Sequence, residues 1–202
     1  MTEPPAAASV LRSASGRLDR DRSLLLVIDV QERLAPHVLG HEAVIARSEA
    51  LVAAARRFGV PCFVTEHCAA RIGPVIPRLR ERFDAGEIFA KTRFGAMDHP
   101  EFDRLLRAHG RPQLVVAGME THVCVLQTVL GLAASKYEVF VVGDAVGSRG
   151  ARQADRQFAL DRMRQAGCPI VGTETVLFEW TRAGDDAAFS DVLALVKTLP
   201  LL

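Results

Sequence analysis

The stretch QLVVAGMETHVCVLQT, residues 113–128, decides the fold and contains the residue best suited to chemistry. Residues 114–117 form a short valine-rich run, the pattern of a strand buried on both faces of a parallel sheet. A glycine ends the run, and apolar residues then recur at helical spacing over residues 123–132, after Thr121 as a predicted N-cap. Cys124 is therefore expected in the first turn of a helix, where free backbone N–H groups and the helix dipole favour a thiolate.

The composition is that of a soluble globular protein of one domain. A chain of 202 residues is long enough to enclose a full core. Apolar residues make up 49% and charged residues 24%, and 25 Lys+Arg against 24 Asp+Glu leave the chain almost neutral, so we expect no nucleic-acid partner. The sequence shows no secretory signal and no apolar run long enough for a membrane span, so we expect a cytoplasmic protein without membrane contact.

The N-terminal residues and the cysteines complete this general description. Residues 1–22 combine proline, alanine and arginine with little apolar surface, and we expect a mobile or loosely docked arm. Residues 23–202 are predicted to form a single domain. The chain contains four cysteines, Cys62, Cys68, Cys124 and Cys168. Their number and spacing fit neither a disulfide framework nor a zinc ribbon, so we expect reduced thiols.

Apolar runs and amphipathic segments alternate along the chain. Strand-like runs occur at residues 23–30, 61–65, 87–90, 114–117, 137–143 and 168–172. Helical spacing of apolar residues occurs at 42–58, 99–109, 123–132, 151–166, 175–180 and 185–199. This alternation predicts right-handed βαβ units and an α/β fold with an open, mainly parallel sheet covered by helices on both faces. Ligands of such a fold bind outside the carboxyl ends of the strands.

Three residues of complementary chemistry follow three different predicted strands. Asp29 ends the first run, Lys91 follows the run EIFA, and Cys124 follows the run LVVA. Because the carboxyl ends of parallel strands lie at one edge of the sheet, these side chains can converge. A cysteine nucleophile needs a base to take its proton and a positive charge to favour its anion, roles that Asp29 and Lys91 can fill. A turn cap for Asp29 and a solvated surface charge for Lys91 are the alternatives.

Four segments together resemble the isochorismatase-like cysteine hydrolases. They are LLLVIDVQ (24–31), AKTRFGAM (90–97), GMETHVCVLQT (118–128) and YEVFVVGDAVGSR (137–149). The third is closer to the uncharacterised isochorismatase-domain hydrolases than to the nicotinamidases. The resemblance extends from about residue 23 to the C-terminus and implies the Rossmann-like isochorismatase fold. Family members commonly assemble, so we expect a homo-oligomer.

The same resemblance assigns roles to particular residues. It implies Asp29 as proton acceptor, Lys91 as charge partner and Cys124 as nucleophile. It also implies a cis peptide bond between Met119 and Glu120, with the backbone N–H groups of Glu120 and Cys124 as the oxyanion hole.

A difference from the nicotinamidases concerns the metal. Those enzymes carry a D-x-H pattern and a later histidine after the second strand, whereas this strand is followed by TEHCAARIGP, which contains only His67. Zinc normally takes three or four protein ligands. We therefore predict no metal and no other cofactor.

Four further residues are candidates for the lining of a substrate pocket because they follow the catalytic candidates closely. They are Gln31, Leu34, Phe94 and His122. Core packing or turn structure explains the first three equally well, and a hydrogen-bonding or interface role explains His122. Asp144 ends a predicted strand near the same edge, where a loop-fixing hydrogen bond is the favoured role.

These observations lead to three hypotheses about function. The first is a metal-independent cysteine hydrolase that acts on a small amide or related substrate through a thioester. The second is isochorismate-type vinyl ether hydrolysis, which need not use the cysteine covalently and would survive Cys124→Ser. The third is an oligomeric binding module with a catalytically idle triad, since a fold does not prove a function.

Overall fold

The structure is a computed structural model that describes residues 16–200, and it contains the predicted alternation of strands and helices. The strands are β1 Ser23–Ile28, β2 Cys62–His67, β3 Ile88–Lys91, β4 Gln113–Met119, β5 Glu138–Gly147 and β6 Ile170–Val171. The helices are α1 His41–Phe58, α2 Ala69–Ile72, α3 Pro77–Arg80, α4 Pro100–Ala108, α5 Leu126–Ala134, α6 Gln153–Gln165, α7 Thr173–Thr181 and α8 Phe189–Thr198.

The six strands form one open sheet in the order β3-β2-β1-β4-β5-β6. Every neighbouring pair of these strands is parallel, which confirms the predicted fold class. The chain runs outward from β1 to β2 and β3, and then returns to the other side of β1 to form β4. The strand order therefore reverses between β1 and β4, and the crevice outside their carboxyl ends is the expected ligand site.

Two hydrophobic layers sandwich the sheet. Along β1 the side chains alternate, so that Leu25 and Val27 join the layer under α1, α7 and α8. Leu24, Leu26 and Ile28 join the opposite layer under α4, α5 and α6. All six residues of β1 are buried, which explains why residues 24–28 are apolar without alternating polar residues.

Gly118 allows β4 to lie close to β1 at the edge that carries the site. Its φ is +121°, and an added Cβ would lie 2.1 Å from the carbonyl oxygen of Ile28. Any side chain would force the two strands apart. The glycine that ends the valine-rich run thus fixes the spacing between the strands that lead to Asp29 and Cys124.

Strand β5 is longer than predicted. It continues past residue 143 to Gly147 because it keeps pairing with β4 after a register shift. Asp144 consequently lies within the strand instead of after it. Its Oδ1 accepts hydrogen bonds from the amide and the hydroxyl of Thr173, at 2.8 and 2.9 Å. The carboxylate thus fixes the start of α7, the structural role favoured from the sequence.

The turn between β4 and α5 is wider than predicted. Residues Thr121–Val125 form a π-helical turn, in which the amide of Val125 donates to the carbonyl of Glu120 at 3.2 Å. The N-cap prediction for Thr121 is wrong, because Glu120 has the extended backbone of the cap position and no side-chain cap bond forms. Cys124 therefore lies in a π-turn, a feature that often marks functional sites, and not in the first turn of an α-helix.

The described part of the N-terminal segment contacts the domain. Leu18 is buried, and its amide donates to Glu179 Oε2 of α7 at 2.8 Å. The rest of the arm expected over residues 1–22 lies outside the described residues.

Candidate active site

The site contains a buried ion pair. Lys91 Nζ lies 2.7 Å from Asp29 Oδ2, and neither side chain is exposed. Thr65 Oγ1 donates to Asp29 Oδ1 at 2.6 Å, and Lys91 also donates to the carbonyl of Phe94 at 3.0 Å. Buried charges are tolerated only when they are paired and hydrogen-bonded, as these are. The alternatives of a solvated lysine and a turn-capping aspartate are therefore excluded.

The topology explains why this pair is an aspartate and a lysine. Asp29 directly follows β1 and turns the chain out of the sheet with a φ of +49°. Lys91 ends β3, which is separated from β1 by β2. Two strand spacings amount to roughly 10 Å, so a long side chain is needed to reach the carboxylate. Thr65 stands on the intervening strand and supports the carboxylate from there.

Cys124 completes the convergence predicted for the three strand ends. It is 6% exposed, and its thiol lies near enough to Asp29 and Lys91 for the charges of both to act on its pKa. Burial, followed by the charge of Asp29, raises the pKa of the Cys124 thiol, while Lys91 lowers it by a smaller amount. The expectation that the helix start favours a thiolate is therefore wrong for the free protein, because desolvation and the carboxylate outweigh the positive charges. The site contains a thiol beside a base.

The two charges should have opposite effects on thiol ionisation. In Asp29→Asn the pKa of Cys124 will fall, by about 1–3 pH units, because the negative charge that opposes the thiolate is removed. In Lys91→Met the pKa will rise further. Thiolate absorbance at 240 nm, taken against the same variant with Cys124→Ala, measures both directions. An unchanged midpoint in Asp29→Asn would contradict the electrostatic contact.

The predicted oxyanion-hole residues, Glu120 and Cys124, belong to the turn between β4 and α5. The peptide between Met119 and Glu120 is cis, as the resemblance implied. The amide of Glu120 donates to no acceptor among residues 16–200. Its side chain is turned aside, since Oε2 accepts from the amide and Nε of Arg149 at 3.0 and 2.9 Å. The Glu120 amide is thus available to a ligand oxygen.

Gln31 and Leu34 have structural contacts. Gln31 is fully buried, and its Nε2 donates to the carbonyl oxygens of His67 and Gly73, at 3.1 and 2.5 Å. Its Oε1 accepts from the amide of His67 at 2.8 Å. Leu34 is partly buried against the hydrophobic layer that contains α1. Both side chains therefore hold the loops beside the site in place.

Phe94 and His122 contact different parts of the structure. Phe94 is 49% exposed, and its ring lies 5.1 Å from the ring of His67, on the loop whose carbonyl groups hold Lys91. His122 Nδ1 lies 2.9 Å from Ser148 Oγ. Phe94 thus lies next to Lys91, whereas His122 is hydrogen-bonded to the segment that follows β5.

Sequence reasoning missed the contribution of Thr65 and undervalued that of His67. Each occupies the carboxyl end of β2, the position that drew attention to Asp29 and Lys91 on neighbouring strands. From the sequence, His67 was considered only as a metal ligand, but it is the last residue of the strand and its Nδ1 is buried. If the residues at the carboxyl end of every predicted strand had been considered as site candidates, both residues would have been found.

The described residues also bear on metal binding and on membrane contact. Within residues 16–200, no group of three His, Cys, Asp or Glu side chains is arranged to hold a metal ion. Glu66, beside His67, instead binds the amide of Val75 and the guanidinium of Arg80. In the same part of the chain, no helix is both long and apolar enough to cross a membrane.

Comparisons with known proteins agree with this fold. Residues 23–175 match the family described as the isochorismatase domain. The secreted isochorismatase effector Isc1 of Phytophthora sojae is 34% identical over 95% of this chain and 92% of its own. The MAR1 ribonuclease structure from Caenorhabditis elegans has a TM-score of 0.84 at 33% identity and covers 92% of this chain and 95% of its own. The Escherichia coli YcaC product, an octameric hydrolase of unknown specificity, has a TM-score of 0.80 at 29% identity over 91% of this chain and 88% of its own.

Proposed function

Because the chain belongs to the isochorismatase family of hydrolases, we propose that it is a metal-independent cysteine hydrolase of a small carboxamide or related substrate. The observation that carries the proposal is that the buried Asp29–Lys91 pair, joined at 2.7 Å, lies near enough to the Cys124 thiol for both charges to act on it. A nucleophile, a base and a fixed cation at one site are the parts that acyl transfer requires. The closed surroundings of the pair favour a small substrate.

In the first half-reaction, Asp29 takes the thiol proton as Cys124 Sγ attacks the substrate carbonyl carbon. The raised pKa of Cys124 means that proton transfer accompanies attack and does not precede it. The amides of Glu120 and Cys124 donate to the oxyanion that develops. Protonated Asp29 then gives its proton to the leaving nitrogen, the C–N bond breaks, and a thioester remains.

In the second half-reaction, water replaces the amine. Asp29 takes a proton from the water, the hydroxide oxygen bonds to the thioester carbon, and the C–S bond breaks to release a carboxylic acid. The proton returns to Cys124 Sγ. Lys91 stays paired with Asp29 throughout and fixes the carboxylate that shuttles the proton.

A direct test is to screen small primary carboxamides for ammonia release. Rapid acid quenching during turnover should trap the acyl group on the enzyme, and peptide mass mapping should place it on Cys124. The remaining cysteines, Cys62, Cys68 and Cys168, are internal controls. Ammonia release without any acyl adduct on Cys124 under single-turnover conditions would contradict the thioester.

We also propose that the enzyme is a cytoplasmic homo-oligomer without a nucleic-acid partner. Its four cysteines form no disulfide, which suits a reducing compartment, although a relative is named as secreted. The octameric state of the YcaC product supports assembly, which light scattering on a sizing column would measure. The net charge of +1 offers little attraction to an RNA backbone, so the ribonuclease activity named for the C. elegans protein is not extended to this chain.

A further inference from the structure

Two buried side-chain polar atoms within residues 16–200 have no hydrogen-bond partner. They are His67 Nδ1 and Thr121 Oγ1. Both lie at the carboxyl edge of the sheet, since His67 ends β2 and Thr121 begins the turn after β4. Buried polar atoms in native proteins are almost always satisfied, so an orphaned atom at the edge of the sheet that carries the candidate site marks a place for a ligand atom.

The His67 ring is held in a fixed position. Its backbone is clamped on both sides by the Gln31 side chain, which accepts from its amide and donates to its carbonyl. The next amide, that of Cys68, donates to the carbonyl of Lys91 at 2.9 Å. The imidazole itself lies against the ring of Phe94. Because the ring is already held in place, binding a ligand at its buried nitrogen costs little conformational entropy. The nitrogen is therefore preorganised for binding.

His67 lies beside the catalytic pair. Its Cα is the register partner of the Lys91 Cα, and register partners on adjacent strands project from the same face of the sheet. Burial and the charge of Lys91 lower the pKa of His67, and Asp29 opposes them, so the ring is neutral at pH 7. Nδ1 is buried and has no partner among residues 16–200, and a buried N–H without an acceptor is rarer in proteins than an unpaired acceptor, so we assign the ring proton to Nε2. Nδ1 therefore presents a lone pair and acts as an acceptor.

We propose that His67 Nδ1 accepts a hydrogen bond from the N–H of the substrate amide and that the site thereby selects carboxamides over isosteric carbonyl compounds that lack an N–H. The inference rests on the proposed function, since it names the substrate class of the same site. A bound ketone or ester has no N–H to donate, so it would leave this buried acceptor unpaired. The free-energy cost of the unpaired acceptor disfavours such compounds relative to carboxamides.

The test compares two isosteric alkylating probes, 2-chloroacetamide and chloroacetone, which differ by an amide NH₂ in place of a methyl group. Each reacts at Cys124 by forming an S–C bond and breaking the C–Cl bond, so that chloride leaves and Asp29 takes the thiol proton. Labelling rates at Cys124, from peptide mapping, are divided by the rates of the same probes with free N-acetylcysteine. This ratio removes the intrinsic difference in probe reactivity.

In the wild-type protein the corrected rate should favour chloroacetamide, and His67→Leu should reduce that preference about three- to tenfold, while chloroacetone labelling stays the same. His67→Asn should restore most of the preference, because its Oδ1 can occupy the position of Nδ1. His41→Asn, on the outer end of α1, is the matched control and should change nothing. Equal corrected rates for the two probes, unaltered by His67→Leu, would overturn the inference and leave the cysteine hydrolase proposal standing. No labelling of Cys124 by either probe would instead count against the proposed function.

Discussion

Replacing Cys124 with alanine will abolish thioester formation and reduce amide hydrolysis by roughly 10⁴–10⁶-fold, the range seen when a covalent nucleophile is removed. The reason is that Asp29 and Lys91 are both buried near the thiol, and a water molecule in its place would lack the covalent step. The measurement is kcat/KM for an amide identified by ammonia release, together with the mass of the acid-quenched enzyme. Cys62→Ala, a buried thiol at the start of β2, is the matched control and should retain full activity.

Cys124→Ser separates the amide hypothesis from vinyl ether hydrolysis. A serine hydroxyl beside Asp29 is a much weaker nucleophile than a thiol, because its proton is harder to remove, so amide turnover should fall at least about a thousandfold. Ether hydrolysis by protonation needs no nucleophile at this position and would survive the change. Retained turnover in Cys124→Ser would therefore reassign the enzyme to that alternative. Retained binding with no turnover in the wild type would favour the idle binding module.

The sequence was sufficient to predict the convergence of the catalytic groups. Asp29, Lys91 and Cys124 each follow an apolar run, and a parallel sheet places the ends of all such runs at one edge. This reasoning needs no knowledge of the strand order. It would hold for any order in which the side chains are long enough to meet.

The electrostatics of the site were beyond sequence reasoning. The helix start after β4 argued for a thiolate, but the direction of the Cys124 pKa depends on how completely water is excluded, which is a property of the folded whole. The π-turn also depends on tertiary context, since Thr121 has the right side chain for an N-cap yet Glu120 takes the cap geometry. Local propensity indicated that a helix forms there, and packing of the turn against β5 and α6 decided how the helix begins.

Breaking the Asp29–Lys91 pair will have the largest effect on stability. Lys91→Met keeps the volume of the side chain but leaves the Asp29 carboxylate buried without its cation, and we expect a loss of about 3–5 kcal/mol in the free energy of unfolding. Asp29→Asn leaves the ammonium group unpaired and should cost a similar amount. Urea unfolding measures both losses. The exposed pair Arg107–Asp103 is the control, and Arg107→Met should cost at most about 1 kcal/mol.

The double variant Asp29→Asn/Lys91→Met distinguishes a pair kept for stability from one kept for chemistry. With neither charge present, no buried ion is left uncompensated, so the double variant should be more stable than either single variant, with a coupling of about 2–3 kcal/mol. Its activity should nevertheless be as low as that of Asp29→Asn, since the base is gone. Stability recovered without activity would mean that a neutral pair can support the fold and that the charged pair is needed for proton transfer. Double-variant stability equal to the sum of the two single losses would contradict the contact, because coupling between paired buried charges is what the 2.7 Å distance requires.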